Sequence, residues 1–184
     1  SDVYKRQVYV GEQAMHSSKV YVQLSERMGL HDHLMVMNLT VTKITMNLKS
    51  FAQCSKVVEA SLNLLQDLAV GFMSGKLLLR LDAIKGTLLA HTPDHFPFLA
   101  QYVNTRNRTI FYATLGRLLF MDDSAEKFHA FMAPFGDLCD RLAATDAHTF
   151  RTHEVKHTLI GLFRDLRGIA SSANSRRTYG LLFD

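Results

Sequence analysis

The sequence predicts an all-α fold, an α-α superhelix built from antiparallel helix pairs. Three observations carry that expectation. Apolar residues recur at alternating three- and four-residue steps through most of the 184-residue chain, the spacing of one buried helical face. Glycine, proline and capping signals interrupt the pattern every ~14–22 residues, leaving short turns between helices. Successive helix pairs begin about 40–47 residues apart, the period of HEAT and armadillo repeats. Residues 8–184 therefore read as a HEAT-like solenoid fragment of three to four hairpins. Residues 1–7, SDVYKRQ, look foreign to the rest of the chain and read as an assembly scar.

Residues 8–28 make the first helix, ending in LSERMG with Gly29 as its stop. Asp32 is placed to cap the next, whose apolar stripe is Leu34, Met37, Val41, Ile44 and Leu48. Within it, NLTVTKIT carries β-branched residues in near alternation, a local strand signal that the longer stripe outweighs. Ser55 opens a third helix on Val58, Leu62, Leu65, Ala69 and Phe72, with Gly71 and Gly75 at its end. A fourth runs from Lys76 to Ala90 on Leu77, Leu81, Ile84 and Leu88. HTPDHFPFLAQYVNTRN then breaks the rhythm. Two prolines and several turn formers make residues 91–105 a loop, which Phe96, Phe98, Leu99 and Tyr102 should pin to the core.

RNRTIFYATLGRLLFMDD comes next as a helix. Its successor starts at Ser124, should kink at Pro134, and faces the core with Phe128, Met132, Phe135, Leu138 and Leu142. His153 to Asn174 forms another, and Arg177 onward begins one more. Gly116, Gly161 and Gly168 fall inside these helices, each at a cost of roughly 1 kcal/mol against alanine. Close approach of a neighbouring helix would offset that cost.

Composition limits the function classes. Apolar residues make up 47% and charged residues 21%, an ordinary globular balance. No apolar run is long enough to span a bilayer, so no membrane partner is expected. The net charge is +4 and the pI about 9.1. The cations are scattered, as for a solvated surface, and no nucleic-acid partner is expected. Cys54 and Cys139 stand alone in apolar surroundings and read as buried, reduced thiols. The sequons at Asn38 and Asn107 read as chance matches.

One motif asks for chemistry. HEVKH, from His153 to His157, matches the H-E-x-x-H pattern in which two imidazoles and a general base share a helical face. The stripe of that helix is Val155, Leu159, Leu162, Leu166 and Ile169. On the wheel it lies about 200° from His153, whereas His157 sits at about 40°. The two histidines thus share the polar face with Lys156, Arg164 and Arg167, where a divalent metal would be repelled. No third ligand is placed: Asp165 lies about 12 Å further along the axis and is turned away. The match of His153, Glu154 and His157 is therefore read as accidental. His31-Asp32-His33 reads as a cap, and His91, Asp94 and His95 as loop residues. No phosphate-cradling glycine loop, nucleophile elbow or dinucleotide fingerprint occurs. No cofactor, no metal and no catalysis is expected.

LSERMGLHD, NLK, LNLLQDLAVGF, HTPDHFPFL, RNRTIFYATLGRLLFMD, FMAPF and TLIGLFRDLRGIA, in that order, resemble export receptors of the importin-β-like nuclear transport family, in the C-terminal third. The resemblance runs from about Val8 to Phe183. It implies a HEAT-repeat karyopherin that carries protein cargo through the nuclear pore with the GTP form of Ran, shuttling between nucleus and cytoplasm. Its partners would be cargo, nucleoporins and Ran, the last mostly through regions outside this stretch. On the residues themselves, the candidate protein-binding surface is Lys76, Arg80, Arg164 and Arg167, taken as polar residues of the second helix in each pair. Asp165 and Arg167 are equally candidates for an ion pair to the adjacent repeat. The rival readings are a helical-repeat scaffold unrelated to transport, and an HExxH zinc peptidase.

Overall fold

The computed structural model describes Arg27 and residues 32–173. The helix expected over residues 8–28 and the one from Arg177 lie outside the described residues, as does the reading of residues 1–7. Two compact units divide the chain, residues 1–39 and 40–184. The described residues contain seven α-helices and no strand. They are α1 (His33–Ser50), α2 (Ser55–Val70), α3 (Phe72–Leu78), α4 (Asp82–Leu89), α5 (Thr105–Asp122), α6 (Ala125–Ala143) and α7 (His153–Ser172). None of them is long and apolar enough to cross a membrane.

Local chemistry sets most of the boundaries. Asp32 caps α1, its Oδ1 accepting from the Met35 amide at 3.0 Å. NLTVTKIT is helical: Val41, Ile44 and Leu48 are buried at the 3-4 spacing, and Thr45 returns its hydroxyl to the Val41 carbonyl. In α2, Val58, Leu62, Leu65 and Ala69 are buried as the periodicity predicts. Gly71 then turns the chain into an extended conformation, and Phe72, counted in that stripe, is 65% exposed. Ser124 and Thr152 cap α6 and α7 by accepting from the amides three residues on. Pro134 lies inside α6, which continues through it.

The helix expected over Lys76–Ala90 is instead two short ones. Leu78, Leu81 and Ile84 are buried, while Leu77 and Leu88 are half-buried. The chain breaks between them, with Leu81 extended at the start of α4. Gly75, expected as a stop, is buried within α3 against the Met121 sulfur. The 91–105 segment packs down as expected, through two 3-10 turns at Pro97–Ala100 and Tyr102–Asn104. Phe96, Phe98 and Phe111 form a ring cluster with centroids 5.3–6.3 Å apart. Tyr102 is the exception and is exposed. Both cysteines are exposed and free, not buried: Cys54 is the residue just before α2 and Cys139 lies on α6. Asn107, the second sequon residue, is buried inside α5, where no glycan fits.

In the 40–184 unit the helices stack in two layers. In one layer, α2, α5 and α7 run parallel. Asn104 reaches the Ala52 carbonyl, Asn107 the Ser55 carbonyl, and Arg117 the Val70 carbonyl, so α5 tracks α2 from start to end. Arg108 meets Asp165, and Gly116 lies against Ile169 and Ser172, so α7 tracks α5 the same way. α4 and α6 contact each other in the second layer, and α6 runs back along α5 through Phe120–Phe128 and Tyr112–Phe135 ring pairs. Parallel helices side by side, with α6 running antiparallel against α5, is what stacked hairpins produce.

The α5–α7 contact is the closest. A Cβ at Gly168 would lie 2.6 Å from the Thr109 carbonyl oxygen and 2.9 Å from the Ala113 nitrogen. One at Gly116 would lie 3.3 Å from the Ile169 Cα. These two glycines let the backbones meet, which is the reason expected for them.

Candidate functional site

The HEVKH segment forms the first turn of α7. His153 and Glu154 are exposed; Glu154 faces the positive end of the helix dipole. His157 is half-buried, its ring 5.4 Å from that of Tyr102. Among the described residues, no group of three or more His, Cys, Asp or Glu side chains is placed to hold a metal ion. His91 is not a loop residue in character: it is buried, while Asp94 and His95 are exposed.

His91 joins three elements. Its Nε2 donates to the Phe131 carbonyl at 3.1 Å, which fixes the proton on Nε2 because a carbonyl only accepts. The Tyr112 hydroxyl donates to the His91 carbonyl at 2.8 Å. The imidazole stacks on Phe131 at 4.0 Å, one turn before the proline of α6. Burial holds its pKa down at about 4. Burial likewise raises that of Tyr112.

Beside it lies a buried ion pair. Arg108 Nε donates to Asp165 Oδ1 at 2.7 Å and Nη2 to Oδ2, a two-pronged contact, while Nη1 donates to the Leu99 carbonyl. The side chains are 12% and 2% exposed. Gly161 leaves the space for the guanidinium, since a Cβ there would lie 2.9 Å from Arg108 Cζ. Burial pushes the Asp165 carboxyl up to about 6, against the pull of Arg108. Asp165 does bond to the neighbouring repeat, but through Arg108; Arg167 is exposed and plays no part. One signal in the sequence pointed here. Asp165 lies three residues after Leu162 and four before Ile169, on the apolar side of α7, where a carboxylate requires a buried partner. Nothing singled out Arg108, 57 residues away.

Above this pair the 91–100 segment, α6 and α7 enclose a groove of about 750 Å³. Glu154, His157 and Thr158 of α7 line it opposite Asp137, Leu138 and Arg141 of α6. The HEVKH face therefore has carboxylates as neighbours as well as the cations expected from the wheel.

The four candidate cations fall in two places. Lys76 is on α3, where its Nζ donates to the Met121 carbonyl and lies 5.6 Å from the Phe72 ring. Arg80 is exposed in the turn before α4. Lys76 thus lies within α3 and Arg80 between α3 and α4, where one long helix was expected to carry both. Arg164 and Arg167 are on α7, half-buried and exposed respectively.

A family profile described as "Exportin-7-like, TPR domain" matches residues 4–107. Exportin-7 of Dictyostelium discoideum is 41% identical over 180 residues, covering 97% of this chain and 18% of that protein. Exportin-7-B of Xenopus laevis is 39% identical over 187 residues, and Ran-binding protein 17 of Mus musculus 41% over 186. Each of these two alignments covers 97% of this chain and 17% of the relative. The chain thus spans less than a fifth of the length of the curated relatives it matches. No solved structure matches it.

Proposed function

The chain belongs to the exportin-7 family, and on that premise we propose that it is a stretch of a nuclear export receptor, from the C-terminal third of the protein. The whole receptor binds protein cargo together with the GTP form of Ran and carries it through the nuclear pore, contacting nucleoporins and moving between nucleus and cytoplasm. The single observation that carries this reading is the family match along nearly the entire chain. The layered stacking of parallel helices supports it, because such a stack offers a broad surface and can flex between repeats. The relative named Ran-binding protein 17 supports the Ran partnership.

No chemistry is asked of the chain. Its part is to supply surface, with Lys76, Arg80, Arg164 and Arg167 as candidate contacts to acidic patches of a partner. Cargo and Ran become coupled when both favour one curvature of the stack. The test uses the full-length protein: pull-down with GTP-locked against GDP-bound Ran, with and without cargo. Preference for the GTP form, strengthened by cargo, is expected. Equal capture of both forms would defeat the proposal.

A further inference from the structure

The seam between α2 and α5 is built differently at its two ends. Where both helices begin, two buried asparagines bridge it. Asn104 Nδ2 donates to the Ala52 carbonyl at 2.6 Å, and Asn107 Nδ2 to the Ser55 carbonyl at 3.3 Å. Asn107 also donates to Asn104 Oδ1 at 2.9 Å, which locks the pair together. An asparagine side chain turns about only two bonds, so this clasp has little slack. At the other end the bridges are long side chains. Arg117 Nη1 donates to the Val70 carbonyl at 3.2 Å, Lys76 Nζ donates to the Met121 carbonyl, and the Met121 sulfur lies against Gly75. Arginine, lysine and methionine have many rotamers and can follow a partner that moves. A cavity of about 140 Å³ opens at this end, lined by Gln66 and Val70 of α2, Thr114 and Arg117 of α5, and Ser172 of α7.

The slack lies on the α2 side. Gly116 and Gly168 bring α5 and α7 into backbone contact, and the Arg108–Asp165 fork ties them. α1 follows α2 through Asn47 Nδ2, which donates to Ser61 Oγ at 3.3 Å. Gly71 alone joins α2 to α3, so the torsions of one residue can absorb a rotation. We infer that the stack bends at this seam: α2 swings against the α5–α7 pair about the Asn104–Asn107 clasp, closing and opening the cavity at its far end. The 16 residues of α2 span about 24 Å, so a shift of about 2 Å at the Val70 end is a turn of about 5°. The inference concerns the shape of the chain alone and needs neither Ran nor cargo.

The test is double electron–electron resonance on the full-length protein, with spin labels attached to genetically encoded ketone residues. Two label pairs span α2 to α7 at exposed positions: Asp67 with Ala170 at the cavity end, and Lys56 with Ile160 at the clasp end. A swing of about 2 Å is comparable with the spread of the labels themselves, and the two add in quadrature. The distance distribution at the cavity end should therefore be about 1.4 times as wide as at the clasp end. Ala113→Met, which puts a flexible side chain into the cavity, should narrow the cavity-end distribution to the clasp-end width. Asn104→Ala should widen the clasp end; if that variant does not fold, Ala113→Met decides. Equal widths at the two ends of the unaltered protein overturn the inference. So does a cavity-end width that Ala113→Met leaves unchanged.

Discussion

Replacing Gly168 by alanine places the α5–α7 contact under direct test. Helix propensity alone favours the change by about 1 kcal/mol. The new Cβ would sit 2.6 Å from the Thr109 carbonyl oxygen and 2.9 Å from the Ala113 nitrogen. Both are backbone atoms of α5 and have no rotamer to escape into. Restoring ordinary contact requires the two helices to part by roughly 0.8 Å, and a gap of that size forfeits a quarter to a half of each dispersion contact along the seam. Overpacking of this kind costs about 1–3 kcal/mol, and the shift also strains the Arg108–Asp165 fork. The net expectation is a loss of up to about 2 kcal/mol. At about 2–4 °C per kcal/mol for a chain this long, the thermal midpoint by circular dichroism should fall by up to roughly 8 °C. Gly136 and Gly86 provide the control, since nothing lies within 4 Å of a Cβ at either. Alanine at those positions should raise the midpoint by roughly 2–4 °C. If Gly168→Ala proves as stable as Gly136→Ala, the close parallel contact of α5 and α7 is wrong.

Three other outcomes are expected. Asp165→Ala strands the Arg108 guanidinium in the core and should cost about 3–5 kcal/mol by urea denaturation, whereas Arg108→Met with Asp165→Leu should recover most of the loss. The His91 pKa falls from 6.5 unfolded to about 4 folded, so its contribution is present above pH 6.5 and is lost as pH falls towards 4, by up to about 3 kcal/mol. The Asp165 pKa is raised from 3.8 to about 6, so its contribution has the opposite sign, being present below pH 4 and lost as pH rises through 6. The two offset each other over the same window. The measurement is therefore the difference in thermal midpoint between the unaltered chain and His91→Gln from pH 4 to 7: the variant should lose its acid penalty and gain relative stability as pH falls. Cys54 and Cys139 are exposed, so an aromatic disulfide reagent should titrate two thiols per chain without denaturant; slow or absent reaction would contradict their placement.

What was legible in the sequence was whatever repeats locally. The helical stripe of α2, the inner part of that of α1, the caps at Asp32 and Ser124, and the packed-down Phe96–Leu99 segment all arise from the chain within a few residues of itself. The wheel of α7 placed His153 in solvent, and the interior glycines announced a close neighbour, which is α5. Where one stripe ran across a break, the sequence misled. Leu77, Leu81, Ile84 and Leu88 made one continuous face on a helical wheel, but the chain leaves the helix at residues 79–81, and Leu78, Leu81 and Ile84 are the residues buried.

The chain by itself determined that it would be helical, because the 3-4 spacing of apolar residues is a property of each segment alone. It also determined where most helices begin, because a capping side chain reaches only three residues ahead. Tertiary structure decided everything that joins distant positions: Arg108 to Asp165, His91 to Phe131, and the groove that gathers Asp94, Asp137 and Glu154. Such partners are selected by burial and by the desolvation cost of an unmet polar group. Burial of any one residue depends on which helices stack beside it, not on its sequence neighbours.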